Sequence, residues 1–220
     1  MRSMRAHVVA LAAVALAGCA APLENRDKHG PADVSSYIAR LVEEERVREL
    51  DPQSVIAALD LPSDAIVADV GCGPGVFSIP FALACPDGVV YAVDVEPLQL
   101  DALRSRVERD AIANIVPVLA SYADPHLPPA GVDLIFIADT YHHIDDRTAY
   151  LRQLRADLAP GGRLALLEYK PGELPVGPPP SRKVPRTTRH AELTHAGWTL
   201  VRTFDTHRWH DFELWRATEE

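Results

Sequence analysis

The 220-residue chain carries 31 acidic against 22 basic residues, a net charge of −9, and is 47% hydrophobic. That is an ordinary composition for a globular protein with enough chain for one α/β domain. The acidic balance, with no basic run beyond the first few residues, argues against a surface built for the phosphate backbone of nucleic acid.

In chain order, Arg2 and Arg5 precede the apolar run "VVALAAVALA" and then "LAGC". The run is too short to span a bilayer and has the layout of an export signal. "LAGC" resembles the bacterial lipobox, which implies that residues 1–19 are a lipoprotein signal peptide and that Cys19 is lipidated. With Ala20 rather than Asp next, the resemblance implies sorting to the periplasmic face of the outer membrane, the membrane contact being the lipid anchor. A start site further downstream would instead leave the product in the cytoplasm. Residues 20–32 lack any period and read as a flexible tether.

The domain is expected over 33–220. A helix is predicted from Asp33, with Val34, Ile38, Leu41 and Val42 on one face and "EEER" on the other. "LDPQSVIAALD" predicts a second, capped by Asp51 with Pro52 at its first position. From there strands and helices alternate. "AIVADV" is strand one, "GVFSIPFALA" a helix beginning at the glycines, and "VVYAVDV" strand two. "PLQLDALRSRVERDA" is a helix with Leu98, Leu103 and Val107 inward, and "NIVPVLA" and "VDLIFIA" are strands three and four. "DRTAYLRQLRADL" is a helix that "APGGRL" turns into strand five, "RLALLEY". The Pro-rich "KPGELPVGPPPSRKVP" is a long loop, "RTTRHAELTHAG" the last helix, and "WTLVRTFDT" and "RWHDFELWR" two antiparallel edge strands. The pattern predicts a doubly wound, mostly parallel α/β sheet of seven strands with N-terminal helices.

Gly71, Gly73 and Gly75 occupy alternate positions directly after strand one and Asp69. Glycines at such a turn admit a tight bend and the close approach of a ligand, and a helix N-terminus beyond them favours negative charge. The dinucleotide fingerprint is G-x-G-x-x-G, whereas the spacing here is G-x-G-x-G, with Asp69 placed to receive a cationic amino group. Asp94 ends strand two, where a carboxylate can accept from the vicinal hydroxyls of a ribose.

At "VADVGCGPG", "VYAVDVEP", "VDLIFIADTYHH" and "LAPGGRLALLEY" the chain resembles the class I S-adenosylmethionine-dependent methyltransferases, from about Val55 onward. Within that superfamily it is most similar to the group that includes the quinone C-methyltransferases. The resemblance implies that Asp69, Gly71, Gly73 and Gly75 meet the methionine part of the cofactor and Asp94 its ribose. Val95 would pack on adenine, Ser121 and Tyr122 would border the adenine edge, and Asp139 and Thr140 would close the other side. Many relatives carry an acidic residue near Ser121, and this chain does not. The cluster "DTYHH" lies where open α/β sheets bind ligands, so Tyr141, His142 and His143 are candidate catalytic or substrate-side groups. Glu168 and Lys170 also face the substrate end, either as a functional pair or as an ion pair and loop contact. Tyr37 is a candidate lid residue.

No metal site is expected, since His195, His207 and His210 lack ligand spacing. Cys72 and Cys85 are expected to be free, buried thiols. The leading function is therefore methyl transfer from S-adenosylmethionine to a small molecule. A non-catalytic lipoprotein that binds S-adenosylmethionine or a nucleoside and, behind it, an NAD-dependent oxidoreductase are the alternatives. Neither the methyl acceptor nor the oligomeric state follows from the sequence. Mass spectrometry of the protein made in a bacterial host should find Cys19 as an acylated N-terminus; an intact Met1 would contradict the lipoprotein reading.

Overall fold

A computed structural model describes residues 33–218; Cys19 and the expected signal peptide (1–19) and tether (20–32) lie outside the described residues. Three N-terminal helices, α1 (Val34–Leu41), α2 (Glu44–Leu50) and α3 (Pro52–Leu59), lead into β1 (Ile66–Val70), α4 (Ser78–Ala84) and β2 (Val89–Asp94). Then come α5 (Pro97–Arg109), β3 (Ile115–Leu119), β4 (Val132–Ala138), α6 (Arg147–Asp157) and β5 (Leu158–Tyr169). The chain ends with α7 (Arg186–His195), β6 (Trp198–Phe204) and β7 (His210–Ala217).

The seven strands form one sheet in the order β3-β2-β1-β4-β5-β7-β6. β1 to β5 pair in parallel, and β7 runs antiparallel to both β5 and β6. Strand order reverses between β1 and β4, which opens a crevice at their carboxyl ends.

The apolar runs are continuous because both faces are covered. Val67, Val90, Leu134, Phe136 and Leu167 pack under α3, α4 and α5, while Ala68, Val93, Ile135, Ile137 and Leu166 meet α6 and α7.

Four sequence expectations shift. The N-terminal pattern forms two short helices, α1 and α2, broken at Val42–Glu43 rather than one. On α5 the inward residues are Gln99, Leu100 and Leu103, whereas Leu98 is 48% exposed. "APGG" continues β5 instead of interrupting the chain, because Leu158 still pairs with Val132 across a bulge. The glycines precede α4 by a run of turns, and the helix starts at Ser78. Gly71, Gly73 and Gly75 all have positive φ, which a right-handed helix does not admit.

A buried polar row lies under α7. Arg189, fully buried, donates to Asp211 Oδ2 at 2.6 Å and to Val184 O at 2.9 Å, and Arg186 also bonds Asp211. These pairs hold the Asp211 carboxyl below its usual range, since the hydrogen bonds from Arg186 and Arg189 outweigh its burial. Arg189→Met should cost about 3–5 kcal/mol in urea unfolding, the range for breaking a buried ion pair from one side.

Candidate active site

The site begins with backbone hydrogen bonds. Leaving β1, the amides of Gly71 and Cys72 donate to Val93 O at the end of β2, at 2.8 and 3.0 Å. The Gly73 amide donates to Asp94 Oδ2 at 2.8 Å, and the Glu96 amide to Asp94 Oδ1 at 2.9 Å. The turn after β1 is thus stapled to the end of β2.

The three glycines have separate jobs. A Cβ on Gly71 would stand 2.1 Å from Thr140 Oγ1, and one on Gly75 would stand 2.4 Å from Leu103 Cδ1. Those two permit close packing. At Gly73 a Cβ would meet only Leu41 and Gln99, at 3.4 and 3.6 Å, because this glycine faces a cavity.

That cavity is lined by Asp69, Gly71, Gly73, Asp94, Val95, Ser121, Tyr122, Asp139, Thr140 and His143. Gly75, Tyr141 and His142 lie outside it. Tyr141 is buried with its hydroxyl donating to Glu192 Oε2 at 2.5 Å. His142 is turned to Glu168, with Nδ1 3.0 Å from Oε1 and its amide donating to Oε2 at 3.3 Å. Glu168 therefore serves His142, and Lys170 donates instead to the carbonyls of His207 and Arg208. The two do not pair with each other.

Several polar groups of the lining already have partners. Asp69, buried between sheet and turn, accepts from Ser78 Oγ at 2.5 Å. Burial pushes its carboxyl up to about 7 against that hydrogen bond, with the Asp94 charge adding to the rise. Asp94 is also raised by burial, opposed by the amides of Glu96, Gly73 and Val95. The Ser121 hydroxyl accepts from the Asp124 amide at 3.0 Å, and the Thr140 hydroxyl donates to Ala138 O at 2.8 Å.

Asp139 is a junction. Held at φ +50, it accepts from Arg46 Nη2 at 2.7 Å, and its other oxygen lies 2.9 Å from His210 Nε2. Burial alone would raise its carboxyl, but His210 and Arg46 outweigh that and hold it below the usual range. Arg46 was read from sequence as part of a solvated face; the break between α1 and α2 turns it inward. His210 joins the site as Asp139's partner, and His207 Nε2 lies 2.9 Å from Leu50 O. Among the described residues no group of three His, Cys, Asp or Glu side chains is placed to hold a metal ion, and Cys72 and Cys85 are both buried and free.

Tyr37 and Leu41 of α1 line the same cavity. The acidic acceptors lining the cavity suit the hydroxyls and amino group of a nucleoside carrying an amino-acid tail. A carboxylate at Asp94 faces the cavity beside a glycine with open space, and the buried Gln99 Oε1 has no hydrogen-bond partner.

Comparison with known proteins agrees. Residues 67–162 match a family model described as "Methyltransferase domain". A trans-aconitate 2-methyltransferase of Methylobacterium radiotolerans is 32% identical over 135 residues, covering 61% of this chain and 49% of the relative. A solved S-adenosylmethionine-dependent methyltransferase from Aquifex aeolicus superposes with a TM-score of 0.78 at 25% identity, over 82% of this chain and 96% of that one. Residues 67–162 thus resemble a methyltransferase domain, and the fold around them is that of a solved S-adenosylmethionine-dependent methyltransferase. Human N-acetylserotonin methyltransferase, solved with S-adenosylmethionine, shares the fold at a TM-score of 0.66 and 19% identity, over 85% of this chain and 57% of that one. The chain spans about half the length of the curated relative from Methylobacterium.

Within the matched region the Gly71–Thr140 contact sets how closely the glycine turn approaches the end of β4. Gly71→Ala should destabilise the fold by about 2–4 kcal/mol in denaturant unfolding, combining left-handed strain with overpacking. Adding Thr140→Gly should return the overpacking part and leave roughly 1–2 kcal/mol, the cost of the left-handed alanine alone.

Proposed function

We propose that the protein transfers the methyl group of S-adenosylmethionine to a small molecule. One observation carries this reading: Asp69, Gly73 and Asp94 line a single cavity at the crevice where the strand order reverses. Asp69 and the turn at Gly71–Gly73 would take the aminocarboxyl end, Asp94 the ribose, and Val95, Ser121 and Tyr122 the base.

The cofactor supplies a methyl group on a sulfonium, ready for in-line displacement. The work left to the chain is alignment and the exclusion of water. Tyr37 and Leu41 of α1 close one wall. Asp139, kept ionised by Arg46 and His210, fixes the wall at the end of β4. Of the three sequence candidates in "DTYHH", His143 alone lines the cavity, and in this reading it would hold or take a proton from an acceptor. The resemblance to quinone C-methyltransferases read from the sequence, together with the apolar lining residues Val34, Leu41, Leu50, Phe77 and Ile144, supports an apolar acceptor in this reading. The same reading retains the N-terminal export and lipidation signal at Cys19, with the domain held at the periplasmic face of the outer membrane. It is supported by the "VVALAAVALA" run and "LAGC".

Calorimetry with S-adenosylmethionine and S-adenosylhomocysteine tests this function. Burial pushes the Asp69 carboxyl up to about 7 in the free protein. A cationic amino group arriving beside it would favour the carboxylate and lower that value. Binding near pH 6.5 should therefore release up to about three-quarters of a proton, and binding at pH 8.5 almost none. Asp69→Asn should remove the release, and Asp94→Ala should weaken binding by about 1–3 kcal/mol. No binding of either compound would refute the proposal.

A further inference from the structure

The carboxyl end of the parallel sheet, where the strand order reverses and the cavity lies, keeps large apolar side chains exposed. Leu98, the second residue of α5, is 48% exposed, and Leu119, the last residue of β3, is 46% exposed. Tyr122, just beyond β3, is 46% exposed and also lines the cavity. Leu119 and Pro97, the neighbour of Leu98, border one surface groove, so these groups form a rim rather than isolated points. The first helix, α1, belongs to the same end, since its Val34 and Leu41 line the cavity. Its apolar and polar residues fall on opposite sides, yet none of its residues is fully buried. An amphipathic helix whose apolar side is only partly covered by protein suits a boundary between water and lipid.

We propose that this face rests on a lipid bilayer, so that an apolar acceptor passes from membrane to cavity without crossing water. This rests on the lipid anchor at Cys19 and the apolar acceptor proposed above. Asp33 caps α1 directly before Val34, so the chain enters the domain on the face in question. Thirteen residues, 20–32, separate that point from Cys19, and a coil of that length spans about 20 Å. The domain itself is roughly 40 Å across, from a radius of gyration of about 16 Å for its length. The anchor therefore holds the α1 face nearer to the lipid than the opposite end. With the domain kept at the surface in this way, a few apolar side chains are enough to fix its orientation. A net charge of −9 gives no general attraction to an anionic surface, so the contact is apolar.

The test places the full, lipidated chain in vesicles of phosphatidylcholine and phosphatidylethanolamine, with a polarity-sensitive dye on one introduced cysteine at a time. Cys72 and Cys85 are buried, which spares them from the dye. Leu98→Cys and Leu119→Cys report on the proposed face, and Leu83→Cys is the control. Leu83 is more exposed than either, at 66%. It lies near the end of α4, which carries the chain from the end of β1 back to the start of the parallel β2, and so sits at the opposite end of the sheet. On vesicles, dye emission should shift to shorter wavelength at positions 98 and 119 and stay unchanged at 83, and high salt should leave the shift in place. No shift at 98 and 119 on protein that floats with the vesicles, or an equal shift at all three positions, overturns the proposal. Protein that does not float refutes the anchor, and the proposal with it. Failure of the vesicle-bound wild type to bind S-adenosylhomocysteine refutes the methyl-transfer function instead, and the dye shifts still decide the membrane face.

Discussion

The amides of Gly71 and Cys72 on the Val93 carbonyl, with the Gly73 amide on the Asp94 carboxylate, hold the site together. These bonds tie the turn after β1 to the end of β2. They bring a cavity-facing backbone and a strand-end carboxylate to one place, although Gly73 and Asp94 are 21 residues apart. Without Cβ atoms at Gly71 and Gly75 the turn could not lie this close to Thr140 and Leu103. The parallel sheet supplies the frame, and the reversal of strand order between β1 and β4 supplies the crevice.

Around that staple, charge is arranged in two different ways. Asp69 is fully buried, with Ser78 as its partner and the Asp94 charge nearby, and burial raises its carboxyl to about 7 against the Ser78 hydrogen bond. Asp139 sits between a guanidinium and an imidazole and stays ionised. The first is suited to answer a charged ligand. The second fixes structure, linking α2, the end of β4 and the start of β7 around the cavity. Asp139's backbone at φ +50 is held in place by these partners.

Much of this was legible in the sequence because it is local. Apolar runs mark strands covered on both faces, and Asp51–Pro52 marks the start of α3. Alternating glycines after a strand mark the turn, and Asp94 follows at the expected distance. What escaped depends on contacts between distant segments. Arg46 reaches Asp139 across 93 residues, and no periodicity in "EEER" distinguishes it from its solvated neighbours. His142 and His143 are adjacent, and only the turn they occupy sends one to Glu168 and the other to the cavity. Tyr141 is lost to the site because Glu192, on a helix far along the chain, takes its hydroxyl. On α5 Leu103 and Val107 face the core as expected, and only Leu98 was misjudged, being exposed beside the buried Gln99 and Leu100.

A crystal structure of the protein with S-adenosylhomocysteine tests the central claim most directly. The account places the aminocarboxyl group against the turn at Gly71–Gly73 and the ribose hydroxyls at Asp94, with the Gly73 amide still on that carboxylate. A ligand bound elsewhere, or a turn that leaves Asp94 to admit it, would contradict the claim that this staple builds the cofactor site.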